Sequence, residues 1–207
     1  MKTVFADLHY FPNLEYFCAI LDSDKLVLDP QSIYQRKSFY NRTQIRLANK
    51  VETLSVPIVG RRPRIPLGEI EIDYRQKWQK VHLRGIQSAY GKTPFFEFIF
   101  PYFEALFEQE YKLLWDMNLQ VLTICLKIMQ WPVNLEIASE SADKQGFTDI
   151  RGLLMPGSHF SQRDIYQPVA YVQNFGLDFE PNLSILDLLF AEGPQAKSIL
   201  QASSKKH

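Results

Sequence analysis

The densest run of side chains able to do chemistry is Tyr34-Gln35-Arg36-Lys37-Ser38-Phe39-Tyr40-Asn41-Arg42. Arginine and lysine set among aromatic rings can hold a phosphate or carboxylate while a ring stacks on a base or sugar. Tyr34, Lys37, Asn41 and Arg42 are therefore candidate ligand-binding residues, with the planar fork of Arg42 as the main anion grip. The competing reading is a solvated loop whose arginines pair across strands with Glu69, Glu71 and Asp73, which would add little to stability. Spacing alone favours neither.

Two histidines are candidate acid/base groups. His9 lies in the turn between the first strand and the first helix, where site residues collect. His82 follows Trp78 by one helical turn, and is either such a group or a packed ring bonded to a backbone carbonyl. His159 has loop context only, and His207 is in the tail. Cys18 would be a nucleophile only if a histidine came near it in space. It sits on an apolar helical stripe, where cysteine behaves as a small hydrophobe, and Cys125 falls in a still more apolar helix.

Several chemistries lack their signatures. The chain has no GxxxxGK[ST], GxGxxG, HExxH or GxSxG, so P-loop, dinucleotide-fold, zincin and hydrolase-elbow readings fail. Asp22-Ser23-Asp24 starts like a calcium loop but lacks the glycine and closing glutamate. The two cysteines form no CxxC, so neither a zinc ribbon nor a disulfide framework is expected. No motif calls for a metal, and none specifies a cofactor.

These residues need elements to hold them. Asn13 can cap a helix that stacks Leu14, Phe17, Cys18 and Leu21. Lys25–Leu28 reads as a strand ended by Asp29-Pro30. Alternation in Thr43–Leu47, Thr53–Val59 and Leu67–Asp73 predicts an antiparallel meander, with an exposed loop at Gly60–Pro66. The period then becomes helical. Asp73 is the expected cap of a helix with Trp78, Val81, His82, Gly85, Ile86 and Ala89 inward, stopped by Gly91. Thr93-Pro94 opens another, broken at Pro101, whose continuation runs to Tyr111. Asp116 is read as the cap of a central helix over Met117–Met129. Val133–Ala138 is a strand candidate, Ser139–Gly146 a loop, and Ile150–Met155 and Val169–Asn174 are weaker strands. Ser184 opens a short helix closed by Gly193-Pro194.

Strand–helix–strand order predicts a mixed α+β (α/β) single domain over 1–194, a mixed sheet with helices packed on it, and a frayed tail at 195–207. With 207 residues and 46% hydrophobic content the chain can bury a core without disulfides. Lys+Arg and Asp+Glu both number 23, so no global field draws nucleic acid. No apolar run reaches the ~18–20 residues of a membrane span, and MKTVFADLHYFP lacks a signal-peptide core, so a cytoplasmic location is expected.

The order of several blocks resembles the WbqC-like protein family. They are His9-Tyr10-Phe11-Pro12, Glu15-Tyr16-Phe17, Tyr34 to Arg42, Leu54-Ser55-Val56-Pro57-Ile58, Trp78-Gln79-Lys80-Val81-His82 and Ser88-Ala89-Tyr90. Pro94-Phe95-Phe96-Glu97, Asp149-Ile150-Arg151 and Phe179-Glu180-Pro181-Asn182-Leu183-Ser184-Ile185-Leu186-Asp187 complete the set. Many relatives begin the first block with Gln-Pro-Tyr where this chain has Leu8-His9-Tyr10. The resemblance implies a step in lipopolysaccharide or O-antigen biosynthesis, such as acyl or aminoacyl transfer to an amino-sugar nucleotide. It adds Asp149 and Arg151 to the candidate ligand-binding residues, and it implies a small activated sugar or other anionic ligand. A non-catalytic protein that uses the same surface to hold a partner is the alternative.

Overall fold

The computed structural model describes residues 2–60, 64–138 and 147–205. Strands β1 (Thr3–Ala6), β2 (Lys25–Leu28), β5 (Asn134–Ile137) and β6 (Thr148–Asp149) form one parallel sheet in the order β5-β2-β1-β6. β1 and β2 are buried along almost their whole length, which is why they read as apolar runs and not as alternations. A separate antiparallel hairpin joins β3 (Arg42–Arg46) to β4 (Val51–Ser55), with Arg42 opposite Ser55 and Gln44 opposite Thr53. Here the period-two pattern holds: Thr43 and Ile45 are buried, while Arg42, Gln44 and Arg46 take the outward face. The chain is thus a single α/β unit with a parallel sheet and an antiparallel pair.

Among the described residues six α-helices accompany these strands. α1 (Leu14–Ile20) is capped by Asn13, whose Oδ1 accepts from the Tyr16 N–H at 3.1 Å. α2 (Trp78–Tyr90) and α3 (Phe96–Glu108) precede α4 (Leu114–Ile128), and α4 buries Val121, Leu122 and Cys125 completely. α5 (Ile185–Glu192) is capped by Ser184, whose Oγ accepts from the Leu186 N–H at 3.3 Å. α6 (Ala196–Ser203) ends the described chain.

Several expectations are corrected. The third meander strand is absent: Leu67–Glu69 forms a 3-10 turn, and the rest makes only isolated bridges, Ile58–Ile72 and Glu71–Leu113. Pro57 and Pro66 cannot donate to a ladder, which cuts the pairing short. Asp73 caps nothing, because Arg75 takes its carboxylate at 2.5 Å and holds it down at about 2 through that hydrogen bond. Glu71 pairs with Lys112 instead of a loop arginine. Val81 is 61% exposed, so the buried stripe of α2 is Trp78, His82, Ile86 and Ala89.

Helix α3 runs through Pro101 unbroken. The proline sits in its second turn, so only the bond to the exposed Glu97 carbonyl is lost, and water can replace it. Thr93 does not cap α3; its hydroxyl donates to the Tyr90 carbonyl at 2.6 Å and closes α2. Asp116 lies inside the first turn of α4. Ile150–Met155 and Val169–Asn174 are turns and irregular chain. The expected frayed tail contains α6, whose Ala196 and Leu200 are fully buried. Leu21 and Ile58, expected in the core, are half-buried. Residues 61–63 and 139–146 of the two expected loops lie outside the described residues.

Candidate functional site

All four parallel strands present their carboxyl ends to one edge of the sheet. From β1 the chain winds to β2 and then β5 on one side, while β6 adds on the other. The winding direction therefore reverses between β1 and β6, the place where ligands bind in open α/β sheets. The residues leaving those two strands meet there. Asp7, after β1, accepts the Gly152 N–H on its Oδ2 at 2.6 Å and the Tyr40 hydroxyl at 3.0 Å. The chain after β6 goes on to Met155, Ser158, His159, Phe160 and Arg163, which form one wall of a cleft of about 440 Å³. Lys37, Phe39, Arg42, Thr43, Gln44 and Thr53 form the hairpin wall, and Glu180, Pro181 and Asn182 close the end. That volume suits a small molecule.

Charge in this cleft is unbalanced in one respect. Arg163 is committed to Glu15, with Nε–Oε1 at 2.6 Å and Nη2–Oε2 at 2.7 Å, and both side chains are buried. Its remaining Nη1 donates to the Ser158 carbonyl at 3.2 Å and to the Ser158 hydroxyl. Glu180 is paired with Arg46 at 2.8 Å. Lys37 and Arg42 have no carboxylate partner among the described residues. Arg42 is half-buried and its Nε is fully buried without a hydrogen-bond partner. A desolvated guanidinium N–H left open costs free energy that an incoming anion would recover.

Left-handed backbone occurs at two residues that line the cleft and one bonded to a third, as it does elsewhere at Arg64 and Gln130. Lys37 and Asn182, both lining the cleft, have φ of +60° and +56°, and Phe11, whose carbonyl accepts from Thr43 at 2.8 Å, has φ of +40°. Non-glycine residues hold such angles only where surrounding contacts enforce them, and they cluster at functional sites.

The other candidates from the sequence fall in different surroundings. Asn41 is a strut at the hairpin base, taking the Tyr34 hydroxyl at 3.1 Å on Oδ1 and donating from Nδ2 to the Val56 carbonyl at 2.8 Å. Neither Asn41 nor Tyr34 lines the cleft. Burial pushes the Tyr34 hydroxyl up, with Arg42 and Arg36 opposing, so Arg42 is close to it. Arg151 is held by Asp149 at 2.6 and 2.9 Å and by Asp29, and lies 5.0 Å over the Phe5 ring. It ties β6 to the end of β2 and does not reach the cleft. His82 has both edges occupied: Nδ1 is 2.8 Å from the Tyr10 hydroxyl and the ring also bonds the Ser55 backbone. Burial pushes it down to about 4. His9 is likewise pushed down to about 4 by burial, against the Asp7 charge, and its Nδ1 has no partner. It lies behind Phe39, with the two rings 5.9 Å apart.

The residues thus do not all meet in one cleft: Lys37 and Arg42 line it, His9 sits beneath it, and His82, Asn41, Asp149 and Arg151 are elsewhere. Both thiols are free and buried, and burial and Glu15 push Cys18 up to about 12. Among the described residues no group of three or more His, Cys, Asp and Glu could hold a metal ion. Among the described residues no helix is long and apolar enough to cross a membrane.

A family model, that of the WbqC-like protein family, matches residues 8–154. The chain belongs to this family. Curated proteins and solved structures give no match. The WbqC-like match takes in His9, Lys37, Phe39 and Arg42, whereas Met155–Arg163 and Glu180–Asn182 follow it in the chain. The sequence reading passes over Phe160 and Arg163, which line the cleft, and Glu15, which holds Arg163 in place. Glu15 was hidden by its place in an apolar helix, and Arg163 stands alone in a segment without periodicity.

Proposed function

We propose that this WbqC-like chain binds a phosphate-bearing activated sugar in the cleft, with Lys37 and Arg42 on the anionic group. The observation that carries this reading is Arg42, half-buried on the hairpin wall of the cleft with an unpartnered Nε and no carboxylate on it. Phe39 and Phe160 offer aromatic faces beside those cations, which suits a base or sugar ring. In the cell the chain would serve a cytosolic step of lipopolysaccharide, O-antigen or other surface-polysaccharide assembly, such as acyl or aminoacyl transfer to an amino-sugar nucleotide. His9 is the acid/base candidate we retain, because His82 has both ring edges engaged. The family membership and the cleft chemistry support this reading together.

The test is calorimetric titration with uridine diphosphate and with nucleotide-linked amino sugars. Arg42→Lys should weaken binding about ten- to a hundred-fold, since a point charge cannot replace a planar fork holding two oxygens. Equal affinity in the variant would sink the reading. A second reading, a non-catalytic partner-binding protein, is favoured by the exposed rings of Phe98 and Tyr102 on α3, at 73% and 46% exposure. Incubation with a nucleotide amino sugar and an acyl-coenzyme A, followed by mass analysis for the acylated sugar, separates the two readings.

A further inference from the structure

Beneath the cleft two buried polar atoms face no partner, Oδ1 of Asp7 and Nδ1 of His9. The residues are 3% and 2% exposed. They stand two positions apart on the chain leaving β1, close enough for the Asp7 charge to act on the His9 ring. The other Asp7 oxygen is fixed by the Tyr40 hydroxyl and the Gly152 N–H. Three rings enclose His9: Tyr16 at 5.0 Å, Tyr40 at 5.5 Å and Phe39 at 5.9 Å. Buried polar atoms are normally satisfied, and two open ones this close in the chain call for a polar partner.

Of those three rings only Phe39 also lines the cleft. Its backbone carbonyl is tied to the Tyr10 N–H at 3.0 Å, while its ring makes no polar bond. A backbone bond thus holds the main chain, and no polar bond holds the ring.

We propose that Phe39 is a gate between the cleft and a proton-transfer pair, His9 with Asp7. When the ring turns aside, a hydroxyl or amine of the bound ligand reaches the imidazole. The ligand O–H or N–H bond breaks with its electron pair staying on oxygen or nitrogen, and a new N–H bond forms on His9. Asp7 is a positioning residue that balances the imidazolium charge, and the proton later passes to the leaving group or to water. The inference rests on reading the cleft as a ligand site.

The test uses the full chain and two readouts, carbethoxylation of each histidine located by mass spectrometry and NMR titration of the imidazole C–H signals. In the wild type His9 and His82 should be unreactive and the exposed His159 should react. Phe39→Ala should speed His9 modification at least ~10-fold and move its midpoint up toward ~6.5 as water enters, leaving His82 protected. In that background Asp7→Asn should lower the midpoint again, and an unchanged midpoint would remove Asp7 from the pair. A His9 that stays protected in Phe39→Ala, or that is uncovered together with His82, overturns the gate. With UDP-N-acetylglucosamine bound, nuclear Overhauser contacts should join its sugar protons to the His9 ring, and binding without such contacts overturns the gate too. Affinity that ignores Arg42 refutes the cleft reading instead, whatever His9 does.

Discussion

The Glu15–Arg163 pair is where cleft geometry and stability can be separated by mutation. The Glu15 side chain is 0% exposed and that of Arg163 9%, and they share two bonds under 2.8 Å. Arg163→Met removes the cation and leaves a buried carboxylate whose remaining side-chain donor is Asn182 Nδ2 at 3.4 Å. Breaking a buried pair this way costs about 3–5 kcal/mol. In a chain of this size each kcal/mol moves the melting point by roughly 2–4 °C, so the loss should be about 6–20 °C. Glu15→Gln should cost less, because the guanidinium left behind borders the cleft and can hydrate. Glu15→Met with Arg163→Met should recover much of the loss. The stranded carboxyl in Arg163→Met would also have its proton affinity raised by burial, so its deficit should grow as pH rises and shrink on acidification. Urea unfolding of the four proteins at two pH values measures all of this. An Arg163→Met loss below about 1 kcal/mol, or a larger loss in Glu15→Gln, would refute the reasoning.

Other outcomes follow from the same structure. Both buried histidines are held near 4, below their unfolded value near 6.5, so the unfolded chain binds more protons between those values and stability should fall as pH drops through that window. Each should contribute a loss of order 3 kcal/mol by about pH 4, and a flat urea midpoint between pH 7 and 5 would contradict their burial. Leu122→Ala, at a fully buried site in α4, should cost about 2–5 kcal/mol by urea unfolding. Gly193→Ala should cost more than about 1 kcal/mol, since Gly193 has φ of +54° and an added Cβ would meet the Phe95 ring at 2.5 Å. Alkylation of the native chain should leave Cys18 and Cys125 unmodified at neutral pH, and rapid labelling of Cys18 would show a thiol far more open than burial allows.

How much of this was legible in the sequence depends on how local the cause was. Asn13 and Ser184 announce helices because a cap is read from a few adjacent residues, and Lys25–Leu28 ends where Pro30 forbids more strand. The hairpin face was readable in Thr43, Ile45 and their polar neighbours. What failed was non-local. Asp73 looks like a cap until Arg75 takes it, and the Leu67–Asp73 alternation does not reveal that prolines deny it a partner strand. α6 reads as a tail because its burial depends on α1, far away in the chain. At the site, Lys37 and Arg42 were visible as a cluster, but the opposite wall comes from 155–182, where no periodicity marks function. Sequence likewise gave no sign that Phe39 stands between the cleft and His9, since that depends on how the β1 exit meets the hairpin.

The most direct test of the anion-binding cleft is a crystal structure of the chain with uridine diphosphate bound. The account predicts phosphate oxygens within hydrogen-bond distance of the Arg42 guanidinium, with Lys37 beside them and the base near Phe39 or Phe160. Diphosphate seated elsewhere, for instance in the groove that Tyr102 of α3 and Lys127 of α4 line, with Arg42 untouched, would contradict it.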